Sequence, residues 1–191
     1  MMNPAWIVLI ILLVIAAALL FAFIGGYNAL VRMRNQVKEA WAQIDVQLKR
    51  RHDLIPNLVE TVKGYARHER ETLENVIQAR SAAVDARGKG VQQQAQAEQG
   101  LSGALGRLMM IVEQYPDLKA NQNYLALQEE LTSTENKIAY ARQFFNEMVM
   151  TYNTKIQSIP TNIIAGFFNF RPEDFFELED QQQREAPQVQ F

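Results

Sequence analysis

The chain has 191 residues, no cysteine, few glycines (9) and prolines (6), and a formal net charge of −2. Without cysteine there is no disulfide scaffold, thiolate-ligated zinc, iron–sulfur cluster or cysteine nucleophile, and the near-neutral balance gives no basic excess pointing to nucleic acid. Hydrophobic residues at 48% and charged residues at 21% are the usage of a globular chain, not a disordered one.

The charge is unevenly spread. Met1 to Val31 carry none, so all 19 basic and 21 acidic side chains lie beyond. Within this stretch Ala5 to Gly26 form a run of 22 uncharged, mostly aliphatic residues. A helix of about 20 residues spans a bilayer's hydrocarbon core. Trp6 and Tyr27 bracket the run as interfacial aromatics do. A cleaved signal peptide has a basic leader and a shorter apolar core, whereas here Met-Met-Asn-Pro precedes a longer one. Residues 1–27 are therefore read as a retained transmembrane anchor in contact with the lipid bilayer. Arg32, Arg34 and Lys38 follow the run and no basic residue precedes it, which places the body in the cytoplasm by the positive-inside rule.

Residues 28–160 read as helices. Tyr27, Leu30, Val37, Trp41, Ile44 and Leu48 step by threes and fours, with Arg34 in the one skipped position. This is the spacing of a coiled-coil seam. No Pro or Gly lies between Tyr27 and His52, so the anchor is expected to run unbroken into the body as a helix of ~70 Å. His52-Asp53-Leu54-Ile55-Pro56-Asn57 is read as a corner, with Asp53 as N-cap and Pro56 in a first turn. A second stripe follows in Leu58, Val62, Tyr65, Leu73, Val76, Ile77 and Val84, and stops at Arg87-Gly88-Lys89-Gly90.

Gln92 to Gln99 suits a solvated helix better than a core. A third stripe is Leu101, Leu105, Leu108, Val112 and Tyr115. Gly100, Gly103 and Gly106 lie within it, and a phosphate-binding reading of such glycines requires a preceding strand, which the pattern does not offer. Tyr115 to Ala120 is a further corner. The longest stripe then runs through Tyr124, Leu127, Leu131, Thr134, Ile138, Ala141, Phe145, Met148, Tyr152, Ile156 and Ile159 to a stop at Pro160. No strand-like alternation occurs. The expected fold is all-α: an N-terminal transmembrane helix continuing into an antiparallel four-helix bundle.

Several of these runs resemble the LemA family of bacterial membrane proteins. The likeness is carried by Gly26-Tyr27-Asn28-x-Leu30-Val31, by Trp41-x-x-Ile44-Asp45-x-Gln47-Leu48-Lys49-Arg50-Arg51-x-Asp53-Leu54-Ile55-Pro56-Asn57-Leu58-Val59, and by Val62-Lys63-Gly64-Tyr65 with His68-Glu69. It resumes at Tyr115-Pro116-Asp117-Leu118-Lys119-Ala120, at Leu127-Gln128-x-x-Leu131-x-x-Thr134-Glu135-Asn136-x-Ile138-x-x-Ala141-Arg142 and at Tyr152-Asn153. The resemblance implies a bacterial inner-membrane protein with one spanning helix, a soluble helical bundle and no established enzymatic activity. Some members resemble lipoproteins with a Cys two residues before the Tyr-Asn pair; Gly25 stands there in this chain, so anchoring falls to the span. Those relatives would hold the body outside the cytoplasm, against the charge rule.

Residues with chemical potential are few. His52 and His68 are the two histidines; neither follows a Glu by three positions, as a di-iron bundle requires. His68-Glu69-Arg70-Glu71-Thr72 ends in Thr where a zinc protease has His. Both histidines read as solvated, and no cofactor, metal or small-molecule substrate is expected. Thr134 falls on the apolar seam and, with Asp45, Glu135 and Asn136, reads as hydrogen-bonded packing that sets helix register. Lys49, Arg50 and Arg51 read as a basic patch at a helix C-terminus, with docking of an acidic partner as the functional alternative.

The tail, residues 161–191, changes character. Phe167, Phe168, Phe170, Phe175 and Phe176 crowd into ten positions, and from Pro172 onward six acidic residues face one basic residue. Up-and-down topology returns this tail to the membrane end of the bundle. Ile163, Ile164, Phe167, Phe168 and Phe170 are therefore expected near the bilayer surface or against a neighbouring subunit, with a tail folded on its own bundle or partly disordered as the alternative. The functional expectation is a non-enzymatic, self-associating interaction or assembly module. The partners expected are lipid, a second copy of the chain and a membrane protein, with nucleic acid excluded. The alternative is an accessory subunit of a membrane protease or cell-envelope machine.

Overall fold

The computed structural model describes residues 4–177. Among them six helices occur and no strand: α1 Pro4–Tyr65, α2 Arg70–Asp85, α3 Val91–Val112, α4 Pro116–Lys119, α5 Gln122–Gln157 and α6 Thr161–Phe167. The all-α expectation holds. The acidic residues Glu179, Asp180 and Glu185 lie outside the described residues. The chain divides into two compact units. One joins residues 4–41 with Phe144–Glu173; the other joins Ala42–Gln143 with residues 174–177.

The second unit is a four-helix arrangement. The later turns of α1, α2, α3 and the first turns of α5 share one core, in which Ile55, Leu58, Val62, Val76, Leu101 and Leu108 are almost wholly buried. The connections 66–69 and 86–90 are short enough to force reversal of direction between consecutive helices. In the second of them Gly88 and Gly90 take φ of 79° and 112°, the left-handed region that glycine enters at no steric cost. The corner around Tyr115 is present as the single turn α4, with Pro116 in its first position.

In the first unit the early part of α1 packs on the end of α5. Leu30, Val37, Ala40, Phe145, Val149, Tyr152 and Ile156 are buried, and the Trp41 and Phe145 rings stand 5.3 Å apart. The first and last seams are thus core-facing as their spacing implies. Ile159 is the exception: it lies past the end of α5 and is 84% exposed.

The expected corner at His52–Asn57 is wrong. α1 continues through Pro56 to Tyr65, and the reversal comes at Ala66–Glu69 instead. A proline inside a helix removes one i→i−4 bond; here the carbonyl so deprived is that of His52. The side chain of Arg80 on α2 takes the place of the lost amide, donating from Nε to the His52 oxygen at 2.7 Å. Continuity of the core-facing positions Ile55, Leu58, Val59 and Val62 outweighs the residual cost of the proline. The true corner needs no proline because Arg67 to Thr72 offer no apolar side chain to hold a helix turn against the core.

This pairing gives a double-mutant test. Arg80→Ala leaves a part-buried carbonyl unpaired and is expected to cost about 1–3 kcal/mol in chemical denaturation. In a Pro56→Ala background the restored amide can reclaim that oxygen, so the same Arg80→Ala change should cost measurably less. Strict additivity of the two substitutions would show that Arg80 does not serve the proline-deprived carbonyl.

Candidate functional site

Arg51 occupies a core-facing position of α1 and is only 2% exposed. A guanidinium stays charged at any accessible pH, so in such a place it must be paired and its donors satisfied. Arg51 forms an ion pair through Nη2 with Glu98 on α3. Its Nη1 donates to Glu135 Oε1 on α5 at 2.7 Å and to Ser102 Oγ on α3 at 3.0 Å. Glu98 is equally buried. Its second oxygen accepts from Gln94 Nε2 at 2.6 Å and lies 3.0 Å from His52 Nε2. Burial alone would raise the Glu98 carboxyl, but the His52 hydrogen bond and the Arg51 charge outweigh it and hold the group below its ordinary value of 4.5.

This network ties α1, α3 and α5 together inside the second unit. A cleft of about 230 Å³ lies beside it, bordered by Arg51, Glu98, Ser102, Glu135, Arg142 and Phe176. Glu98 faces this cleft as a carboxylate held ionised by partners on two helices, an arrangement suited to structure more than to proton transfer. Among the described residues no group of three or more His, Asp or Glu side chains could hold a metal ion.

Several sequence expectations change here. Lys49, Arg50 and Arg51 are not at a helix C-terminus but in the interior of α1. Lys49 is exposed and pairs with Asp53 at 3.4 Å, Arg50 pairs with Glu130, and Arg51 is internal. His52 is buried, not solvated, while His68 is exposed as expected. Gln94 and Glu98 make the stretch Gln92–Gln99 core-facing on one side. Thr134, with no exposure, donates to the carbonyl of Glu130 in its own helix at 2.7 Å and not to another helix. Asp45 binds Arg87 through both its oxygens, one at 2.8 Å.

The tail phenylalanines divide. In the first unit Phe168 packs on Tyr27 with ring centroids 4.5 Å apart and on Phe23 at 5.9 Å. Phe167 meets Phe23 at 6.2 Å, and Phe170 meets Tyr27 at 5.8 Å. Arg34, the skipped position of the first seam, lies over the Phe170 ring at 5.1 Å, a cation–π contact that explains a charge beside an apolar stripe. Asn153 on α5 then exchanges two hydrogen bonds with the backbone of Glu173, both at 2.9 Å, fixing the chain beyond α6. Nearby Tyr152 is buried, and that burial, with the Glu173 charge, raises its phenol pKa. In the second unit Phe175 is half-buried and Phe176 is 2% exposed. Phe176 is therefore internal and not a surface contact.

Residues 40–191 match the LemA family. The chain belongs to the LemA family. It is 30% identical over 148 residues to Protein LemA of Metamycoplasma hominis, covering 76% of this chain and 66% of that protein. It is also 28% identical over 199 residues to Magnetosome protein MamQ of Magnetospirillum gryphiswaldense, covering 91% of this chain and 73% of that one. As a LemA-family member it is a membrane-associated helical protein: every large apolar side chain of α1 from Trp6 to Ile15 is exposed, a surface suited to anchoring in a membrane.

Sequence reasoning missed Arg51, His52, Gln94 and Glu98 as a set. The signal was present in the spacing. Arg51 continues Trp41, Ile44 and Leu48 at heptad intervals, and Glu98 precedes Leu101, Leu105 and Leu108 on one stripe.

Removing either partner of the Arg51–Glu98 pair leaves the other buried charge with less than its full set of partners: Glu135 as the remaining carboxylate for Arg51, His52 and Gln94 for Glu98. Arg51→Met or Glu98→Gln should each cost ~3–5 kcal/mol at neutral pH by denaturant unfolding, with Arg51→Met plus Glu98→Leu milder than the sum. The Glu98 carboxyl sits below its unfolded value, so its contribution is complete above about pH 4.5 and is lost as pH falls through the folded value. Glu98→Gln should therefore flatten the loss of stability on acidification below that point. An unchanged acid limb in this variant would sink the assignment.

Proposed function

We propose that this protein is a non-enzymatic, single-pass membrane-anchored module of a bacterial inner membrane, which self-associates and acts in interaction or assembly through its helical surfaces. The observation that carries the reading is the fate of the polar groups. The buried side chains most capable of chemistry, Arg51, His52 and Glu98, are engaged with one another, while the apolar face of α1 is left exposed. Surfaces, not reactive groups, are what the molecule presents. The names of the similar LemA and MamQ proteins are not enzyme names, which supports the same reading.

Self-association is supported by α5. Leu125, Thr132, Asn136 and Tyr140 follow one another at intervals of seven, four and four and line an open groove on this helix, and the Tyr140 ring is 73% exposed. Tethering copies in one plane raises their effective concentration, so even a weak face can assemble. Arg32, Arg34 and Lys38 after the span support a cytoplasmic body. Lys49 and Arg50, both on the exposed side of α1, remain candidate contacts for an acidic membrane-protein partner.

The test is the mass of the full chain in mild detergent. A homogeneous multiple of the 21.9 kDa protomer that collapses to a protomer on Tyr140→Glu is expected. A protomer that gains mass only with one co-purifying larger protein would instead favour the accessory-subunit reading. Protease treatment of intact spheroplasts should leave the Arg87–Lys89 turn uncut; cutting there would put the body outside.

A further inference from the structure

From Ile156 to Phe170 the chain carries no charged residue, and Lys155 and Arg171 flank this stretch. It contains the turn after α5, where the Thr161 hydroxyl lies 2.6 Å from the Lys155 carbonyl and 2.9 Å from that of Ser158. It also contains α6. This short helix is two-faced. Thr161, Ile164 and Ala165 are buried, whereas Ile163 is 67% and Phe167 77% exposed, and Ile159 in the preceding turn continues the same spacing of four. Large apolar side chains are thus presented outward by a segment that the chain holds firmly in place.

The inner face shows where that segment sits. Ile164 packs closely on α1: a Cβ at Gly26 would lie 2.5 Å from its Cδ1, the end of a flexible side chain. Phe167 and Phe168 pack on Phe23, and Phe168 and Phe170 on Tyr27. These are the last turns of the apolar run, ahead of the first charge at Arg32. Phe167 on the outward side of α6 therefore sits at the level of Phe23, within the end of the apolar run.

We propose that the segment Ile159–Phe170 lies in the boundary between headgroups and acyl chains, as a second lipid contact beside the spanning helix. The proposal rests on α1 crossing the bilayer. Lipid is chosen as the occupant because the exposed face, through Phe167, packs on Phe23 in the last turns of the apolar run of α1. It also carries aromatic rings at the end of the span, where interfacial aromatics concentrate. Its flanking cations are placed as in helices that lie in the interface plane, with the apolar face down and the basic side chains toward phosphates. Phe168 and Tyr27 then form a belt supplied by two parts of the chain.

The chain has no cysteine, so single spin labels can be introduced without other changes. The full chain is placed in phospholipid vesicles of mixed neutral and anionic lipid. Labels are set at Ile163→Cys and Phe167→Cys, with Val14→Cys as the span reference and Lys89→Cys as the aqueous reference. Collision with oxygen is compared with collision with a water-soluble nickel complex. Labels at 163 and 167 should give an oxygen-to-nickel ratio several-fold above that at 89 and below that at 14. A ratio equal to that at 89 overturns the proposal while leaving the anchor standing. Shielding from both collision partners, with broadening between labels on different chains, overturns it in favour of a second copy. A water-like ratio at 14 overturns the anchor and the proposal together.

Discussion

A guanidinium placed where water cannot reach it constrains everything packed around it. Arg51 cannot discharge, so the second unit exists in a state where Glu98, Glu135 and Ser102 approach it together. That requirement fixes the rotation of α3, because Gln94, Glu98 and Ser102 share one face at intervals of four. It fixes the rotation of α5 through Glu135. It also explains why α1 cannot turn at Asp53: Arg51 and His52 are both needed at the core, and the chain must carry on to bring Ile55, Leu58 and Val62 into the same seam. The proline that would otherwise end the helix is accommodated by Arg80 at the cost of one side chain's freedom.

Most of the fold was legible because apolar spacing is a direct record of which side faces a core. The seams Leu30–Val37–Ile44–Leu48, Leu101–Leu105–Leu108 and Tyr124–Leu131–Ile138–Phe145–Tyr152 are buried as their intervals imply. What failed was the treatment of charge as a mark of the surface. Arg51 and Glu98 sit at seam intervals, and a seam position is a stronger statement about burial than side-chain type when a complementary charge occupies another seam. Pro56 failed for a related reason. A proline's effect depends on whether its stranded carbonyl finds another donor, and that donor, Arg80, is 28 residues away. Local rules cannot see it. Asn153 stood out only within a pair typical of the family, because its two bonds to Glu173 join positions 20 residues apart.

Charged and large apolar groups exchange their usual places in this molecule. Catalytic clefts gather titratable groups with spare valence facing an open volume. Here Arg51, His52 and Glu98 are engaged with one another beside such a cleft, with Arg51 Nε left unpaired, and Thr134 is satisfied within its own helix. Outside, large apolar side chains are left exposed along α1 and α6.

The five phenylalanines of the tail show how one compositional signal can divide into two structural tasks. Crowding in ten positions predicts burial of rings but not against what. The division follows from the backbone. Asn153 pins Glu173 to α5, so Phe167, Phe168 and Phe170 before it stay with α6 and the end of the apolar run, and Phe175 and Phe176 after it belong to the other unit. The tail's aromatic content therefore acts through one small fixed point, an amide side chain. The Asn153–Glu173 bonds, not the phenylalanines themselves, decide which rings stay with the end of the apolar run.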